Sequence, residues 1–278
     1  MINVAKAFRP PPFKNTDGRG RDRAKGDNNM NLNRIIAVRN NKTLYRDGDK
    51  CIKVFNAEYS KADVLNEALN QARIEEIGLN VPKVLDVTTI DGKWAIVTEY
   101  IEGKTLSTLI KENPDKKAEY IELLVDLQMQ VHAKRAPLLN RLKDKLDAKI
   151  AKTNLFATTR YYLHTRLEEM PKNKKVCHGD FAPSNVIITP DGTAYIVDWA
   201  HATQGNASAD VAHTYLHFGV IGDPEGAELY LETFCKKSGT DKKYVQDWVP
   251  IVAASLSIKG NDSEREYLMA KAQVINYQ

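Results

Sequence analysis

No apolar run in the chain approaches the ~20 residues that a membrane-spanning helix needs. The longest candidate, residues 249–258, is ten residues long and contains Pro250 and two serines. The amino terminus, MINVAKAFRPPPF, lacks the apolar core of a secretion signal. Cysteine is scarce: Cys51, Cys177 and Cys235 form neither a CxxC pair nor a disulfide framework, which suits a reducing compartment. A cytoplasmic protein with no membrane partner is the resulting expectation.

A surplus of one charge sign is missing from most of the chain as well. There are 40 Lys and Arg against 36 Asp and Glu, and residues 1–30 hold seven and three of them; subtraction leaves residues 31–278 with 33 of each. A body without net charge offers no groove for a polyanion, so nucleic acid is not expected as a partner. Residues 9–29, RPPPFKNTDGRGRDRAKGDNN, combine Pro, Gly, Asn and charge with almost nothing to bury. Residues 1–30 therefore read as a disordered basic extension.

Beyond residue 30 the chain is patterned. Residues 35–38, 42–45 and 50–55 read as strands, with Arg46-Asp47-Gly48-Asp49 as a hairpin turn. A helix is expected over residues 61–77, where Val64, Leu65, Ala68, Ala72 and Ile77 fall near one stripe, and Gly78 with Pro82 ends it. Residues 83–88 and 94–100 add two strands joined at Asp91-Gly92. After Gly103 the period becomes helical: Ile121, Leu124, Leu127 and Val131; Leu139, Leu142, Leu146 and Ile150; Phe156, Thr159, Leu163, Leu167 and Met170. A short strand pair over 186–197 interrupts, and residues 207–278 return to helix. The fold class is α+β and bilobal, with a small β-rich N-lobe over 31–101 and a larger helical C-lobe over 102–278.

The chemistry concentrates at His178-Gly179-Asp180, Asn185 and Asp198. Phosphoryl transfer needs a carboxylate to orient the attacking hydroxyl and oxygen ligands for Mg²⁺. Asp followed five positions later by Asn is the catalytic-loop spacing of protein kinases. Residues 186–189 read as a strand, Pro190-Asp191-Gly192 as a turn and 193–197 as the return strand. A hairpin of that length brings Asp198 back beside Asn185, where a hard cation can sit.

The stretch CHGDFAPSNVIITPDGTAYIVDWAHATQGNASADVAHTYL, residues 177–216, resembles the catalytic core of the aminoglycoside phosphotransferase and choline kinase family, relatives of the protein kinases. The resemblance implies a protein-kinase-like fold with ATP or GTP held between the lobes. It implies Asp180 as catalytic base, Asn185 and Asp198 as Mg²⁺ ligands, and His178 and Asp210 as braces of the loop. It also implies that Lys53 reaches the α- and β-phosphates from its strand, with Glu67 as the best partner among rivals Glu58, Glu75 and Glu76. Cys51 would line the adenine pocket, and backbone groups of Glu99 and Ile101 would hold the purine edge. One departure stands out: residues 38–44, VRNNKTL, contain no glycine where a glycine-rich phosphate loop is expected, leaving Asn40, Asn41 and Thr43 to offer hydrogen bonds.

Two rival functions differ in what they require. A protein kinase needs a long segment after Asp198 to hold a peptide, yet only eleven residues separate Asp198 from Asp210, and the loop DFAPSN carries no Lys or Arg. A nucleotide-binding scaffold would lack catalytic groups, but Lys53, Asp180, Asn185 and Asp198 are all present. The expected acceptor is a small molecule, an amino-sugar, amino-alcohol or sugar, enclosed by residues 205–278. Rings such as Tyr215, Phe218 and Tyr230 and acids such as Asp223, Glu228 and Glu232 would suit a cation through charge and cation–π contacts. The same residues also fit ordinary amphipathic helices.

Overall fold

A computed structural model of the chain describes residues 30–39 and 41–273. The chain divides into two units, Met1–Met30 and Asn31–Gln278. The second contains every element below. The expectation of a disordered extension falls outside the described residues, as does Asn40.

The second unit opens with β1 (Ile35–Arg39), β2 (Lys42–Asp47) and β3 (Lys50–Phe55), followed by α1 (Lys61–Glu75), β4 (Val84–Ile90) and β5 (Lys93–Glu99). These five strands form one antiparallel sheet in the order β1-β2-β3-β5-β4. Each hairpin has its local cause. At Asp91-Gly92 both residues take positive φ, 49° and 75°, the conformation of a two-residue turn whose twist matches the strands. α1 begins at Ser60, whose hydroxyl accepts from the Asp63 N–H at 3.1 Å. It ends two residues earlier than its stripe suggests, because Ile77 and Gly78 close tighter i→i+3 bonds to Ile74 and Glu75. Phe55, Val64, Ala68 and Ile96 bury the helix against the sheet.

The helical region runs through β6 (Lys104–Thr105), α2 (Leu106–Glu112), α3 (Lys117–Ala133), α4 (Leu142–Ile150), α5 (Ala157–Glu169), β7 (Lys175–Cys177), β8 (Val186–Ile188), β9 (Ala194–Ile196) and β10 (Thr203–Gly205). It closes with α6 (Ala207–Val220), α7 (Pro224–Ser238), α8 (Lys242–Gln246), α9 (Val249–Leu256) and α10 (Asp262–Gln273). Ile121, Leu124, Leu127 and Val131 of α3 are all buried, as their spacing predicts. The stripe assigned to α5 needs one correction: Phe156 precedes the first turn and is 78% exposed, while Thr159, Leu163 and Leu167 are buried and Met170 packs partly buried against the core. The rings of Phe218, Tyr230, Phe234 and Trp248 are buried core as well.

Two features fasten the sheet region to the helical one. The Asn80 carbonyl accepts from the Ile196 N–H at 2.9 Å. Across the connector, β6 pairs with β8, so the segment leaving the sheet is stitched to the 186–196 hairpin. Gly103 makes that approach possible, since a Cβ there would fall 2.4 Å from the Ile188 carbonyl oxygen. Gly103→Ala should force the two backbones apart and lower stability by about 2 kcal/mol or more. An unchanged melting temperature would show that the connector is not held this tightly.

Candidate active site

One cleft collects the residues that the sequence had scattered over 150 positions. Cys51, Lys53, Glu67, Glu99, Ile101, Asn185 and Asp198 all line it. Cys51 and Lys53 reach it from β3, Glu67 from α1, and Glu99 and Ile101 from the connector. Asn185 and Asp198 arrive from the two ends of the β8–β9 hairpin, where the Val197 N–H donates to the Asn185 carbonyl at 2.9 Å.

Charge is dense here and nearly dry. Lys53 donates to Glu67 Oε1 at 2.5 Å and to Asp198 Oδ1 at 3.2 Å. Burial alone would lower the Lys53 pKa, but the carboxylates of Asp198 and Glu67 more than reverse it and hold the ammonium above the ordinary lysine range. Asp198 shows the mirror image. Burial pushes its carboxyl up, and Lys53 and Lys42 pull it well below the usual carboxylate range. Its backbone sits in the left-handed region, φ 65° and ψ 60°, which Asp tolerates better than most residues. Glu58, Glu75 and Glu76 do not reach Lys53; Glu75 instead accepts from the Val84 N–H.

Lys42 is the residue that sequence reasoning missed. Its Nζ lies 3.1 and 3.0 Å from the two Asp198 oxygens and 3.8 Å from Glu67. Strand register places it there: Lys42 faces Phe55 and Leu44 faces Lys53, so Lys42 and Lys53 are diagonal neighbours on one face. The glycine-free loop thus ends in an ammonium aimed at the same point as Lys53.

Behind the cleft, residues 178–185 are held by a buried network. Gly179 takes φ +77°, and a Cβ there would lie 2.6 Å from the His201 carbonyl oxygen, so this corner requires glycine. Asp210 accepts from the N–H groups of His178 (3.2 Å) and Gly179 (2.7 Å) and from the side chains of Gln128 (3.2 Å) and His132 (3.0 Å). Burial would raise its pKa, but these bonds, led by His132, hold it well below the carboxylate range. His178 Nδ1 accepts from the Asp180 N–H while Nε2 donates to the Val197 carbonyl, which ties the loop to the strand before Asp198. Asn185 Nδ2 donates to Asp180 Oδ2 at 3.2 Å and to its carbonyl at 2.9 Å.

At the connector, the Glu99 N–H is bonded to the Lys83 carbonyl and the Glu99 carbonyl accepts from Thr98 Oγ1 at 3.2 Å with a lone pair to spare, while Ile101 has an N–H with no protein partner among the described residues. For a cation, no group of three or more His, Cys, Asp or Glu side chains converges among the described residues. The donors that do fit are one carboxylate, Asp198, and the Asn185 amide oxygen, left free because its nitrogen is turned to Asp180. Two hard oxygen donors suit Mg²⁺, which keeps several waters and shares phosphate oxygens.

A family model described as the phosphotransferase enzyme family matches residues 34–247. A probable serine/threonine-protein kinase of Clostridium perfringens is 26% identical over 183 residues, 66% of this chain. The chain spans only 20% of that kinase's length. Among solved structures, aminoglycoside phosphotransferase APH(4)-Ia is similar with a TM-score of 0.65 at 15% identity, covering 85% of this chain and 90% of that one. A type VIII aminoglycoside-3'-phosphotransferase gives 0.60 at 17%, covering 80% and 93%. Choline kinase LicA from Streptococcus pneumoniae gives 0.58 at 19%, covering 85% and 90%. At these identities the likeness is one of fold. A thermostable mutant of APH(4)-Ia was solved with ADP and hygromycin B, and LicA with AMP. No helix among the described residues is long and apolar enough to cross a membrane.

The network around Asp210 has a pH signature. Its carboxyl pKa is lower in the folded protein than the value near 3.8 of an unperturbed Asp. Its contribution is therefore complete above that value and lost as pH falls from it toward the folded-state pKa. Asp210→Asn should cost about 3 kcal/mol near neutral pH, because the buried donors lose their ion. The gap between parent and variant should narrow below about pH 4. Denaturant melts at both pH values check this, and a gap that does not change with pH would contradict it.

Proposed function

The chain belongs to the phosphotransferase enzyme family, and on that premise we propose that it moves the γ-phosphoryl group of ATP, or GTP, to a hydroxyl of a small molecule with Mg²⁺. The observation that carries the reading is the Asp198 carboxylate shared by Lys42 and Lys53, one hairpin away from Asn185 and its bond to Asp180.

Each residue then has a physical task. Lys53, fixed by Glu67, and Lys42 present two ammonium groups to the phosphate chain. The purine lies along the connector, its edge meeting the Glu99 carbonyl and the Ile101 N–H, with Cys51 beside it in the cleft. Asp180 accepts the proton of the acceptor hydroxyl as the new P–O bond forms and the bond to the β-phosphate oxygen breaks. Asn185 keeps the Asp180 carboxylate turned toward that hydroxyl. Asp198 and Asn185 would hold Mg²⁺, which supplies positive charge to the phosphate oxygens. His178 and Asp210 position the loop without touching substrate.

The name of the curated relative raises a protein acceptor as a second reading. The segment between Asp198 and Asp210 speaks for a small molecule instead. It is spent on a turn at Trp199–His201 and on β10, which pairs with β7, leaving no free stretch for a peptide to lie along.

A coupled nucleotide-turnover assay with ATP and GTP, run against hydroxylated small molecules, tests the proposal. Asp180→Asn and Asp198→Ala should each lower kcat about a hundredfold or more. Near-parental turnover in Asp198→Ala would sink the site. Lys42→Ala separates binding from chemistry: KM for the nucleotide should rise about tenfold with a smaller change in kcat. An unchanged KM would remove Lys42 from the phosphate clamp.

A further inference from the structure

A second, smaller hollow borders Gly179 and shares none of its basic residues with the nucleotide cleft. Lys145 and Lys149, one turn apart on α4, line it together with His201 and with His213 of α6. His217 follows His213 by one turn, on the same helical face. Lys145 donates to the His201 carbonyl at 2.9 Å. Among the described residues, the Lys149, His201, His213 and His217 side chains have no hydrogen-bond or ion-pair partner, and His213 Nδ1 is fully buried with its bonding capacity unused.

These groups repel one another. Burial, then Lys149 and Lys259, pulls the Lys145 ammonium down to about 7. Burial, then Lys145 and Lys149, holds the His201 imidazole at about 2. His213 is likewise held at about 4, chiefly by burial. The opposing carboxylates are Asp180, which acts on Lys149, His213 and His217, and Asp210, whose oxygens already accept four hydrogen bonds. These shifts disfavour the charged imidazoles, so the histidines stand as neutral N–H donors beside the two lysines, and a hollow lined by donors with so few acceptors suits an anion. The nucleotide phosphates are not that anion, since Lys42 and Lys53 receive them elsewhere.

We propose that the acceptor carries an anionic group, a carboxylate or a phosphate, bound by Lys145, Lys149, His213 and His217 beside Asp180. The inference rests on the reading of Asp180 as the base. It deepens that reading by naming the charge of the substrate. The hollow has a volume of about 30 Å³, enough for an oxygen or two of a charged group, with the hydroxyl-bearing part of the molecule left beside Asp180. The acids that would have welcomed a cation are engaged elsewhere: Asp223 with Lys117, and Glu228 with Lys242 and the Tyr215 hydroxyl.

The test uses one small scaffold in several charge states. With the cleft saturated by AMP-PNP and Mg²⁺, the full chain is titrated with glycerate, glycerophosphate, glycerol and ethanolamine. The histidine ring-proton NMR signals are followed, with His213→Gln and His217→Gln supplying the assignments. Glycerate, glycerophosphate or both should shift the His213 and His217 signals, and which of them does so tells carboxylate from phosphate; glycerol and ethanolamine should not. Lys149→Gln should weaken the anion about tenfold or more, and Lys149→Arg should restore it. Lys149 is half-buried, and melting curves of each variant check that it folds. An equal response to ethanolamine, no response to either anion, or undiminished binding in Lys149→Gln overturns the proposal. Mg-ATP turnover, measured alongside with Asp180→Asn as control, reports separately on the underlying reading. Turnover without an anion response sinks this inference alone, whereas an anion response without turnover sinks the catalytic role instead.

Discussion

Asp198 is the point on which the two regions of the molecule balance. It stands in a left-handed turn at the end of β9, belongs to the helical region, and receives two ammonium groups that belong to the sheet. Lys42, Lys53 and Asp198 are half-buried and Glu67 is buried; each charge would be costly alone, and together they neutralise one another. The same arrangement is suited to exchange. On the proposed reading, a nucleotide with its cation would bring charges of both signs, so that Lys42 and Lys53 could turn to phosphate oxygens and Asp198 to the metal. On that reading, a clamp of this kind would replace the glycine-rich loop by charge, with Lys42 in the place of a glycine-borne grip.

The site is electrostatically divided. On the proposed reading the phosphate side is balanced within the protein, whereas the side facing α4 and α6 gathers Lys145, Lys149, His201 and His213 with few acceptors.

Much of this was legible from residues alone because the signals were local. Asp-Gly turns, alternation and helical stripes located the five strands of the sheet and α1, α3 and α4. The offset from Asp180 to Asn185, with a hairpin between Asn185 and Asp198, marked the centre of the cleft. What escaped depends on pairing across distance. β6, β7 and β10 are two or three residues long and exist only because a partner lies beside them. Lys42 was readable in principle, since the turn at Gly48 sets the register that puts it diagonal to Lys53. The basic cluster was not: Lys145 with Lys149 and His213 with His217 each show helical spacing, but nothing local says that α4 and α6 turn them toward one another. The rings of Phe218 and Tyr230, read as an acceptor wall, follow core packing.

Asp198 as the junction of phosphate, lysine and metal is most directly tested by calorimetric titration with AMP-PNP in the presence and absence of Mg²⁺. The affinity should rise about tenfold or more with Mg²⁺ in the parent, and that gain should vanish in Asp198→Ala. Equal affinity with and without Mg²⁺, or a gain that survives the loss of the carboxylate, would contradict it.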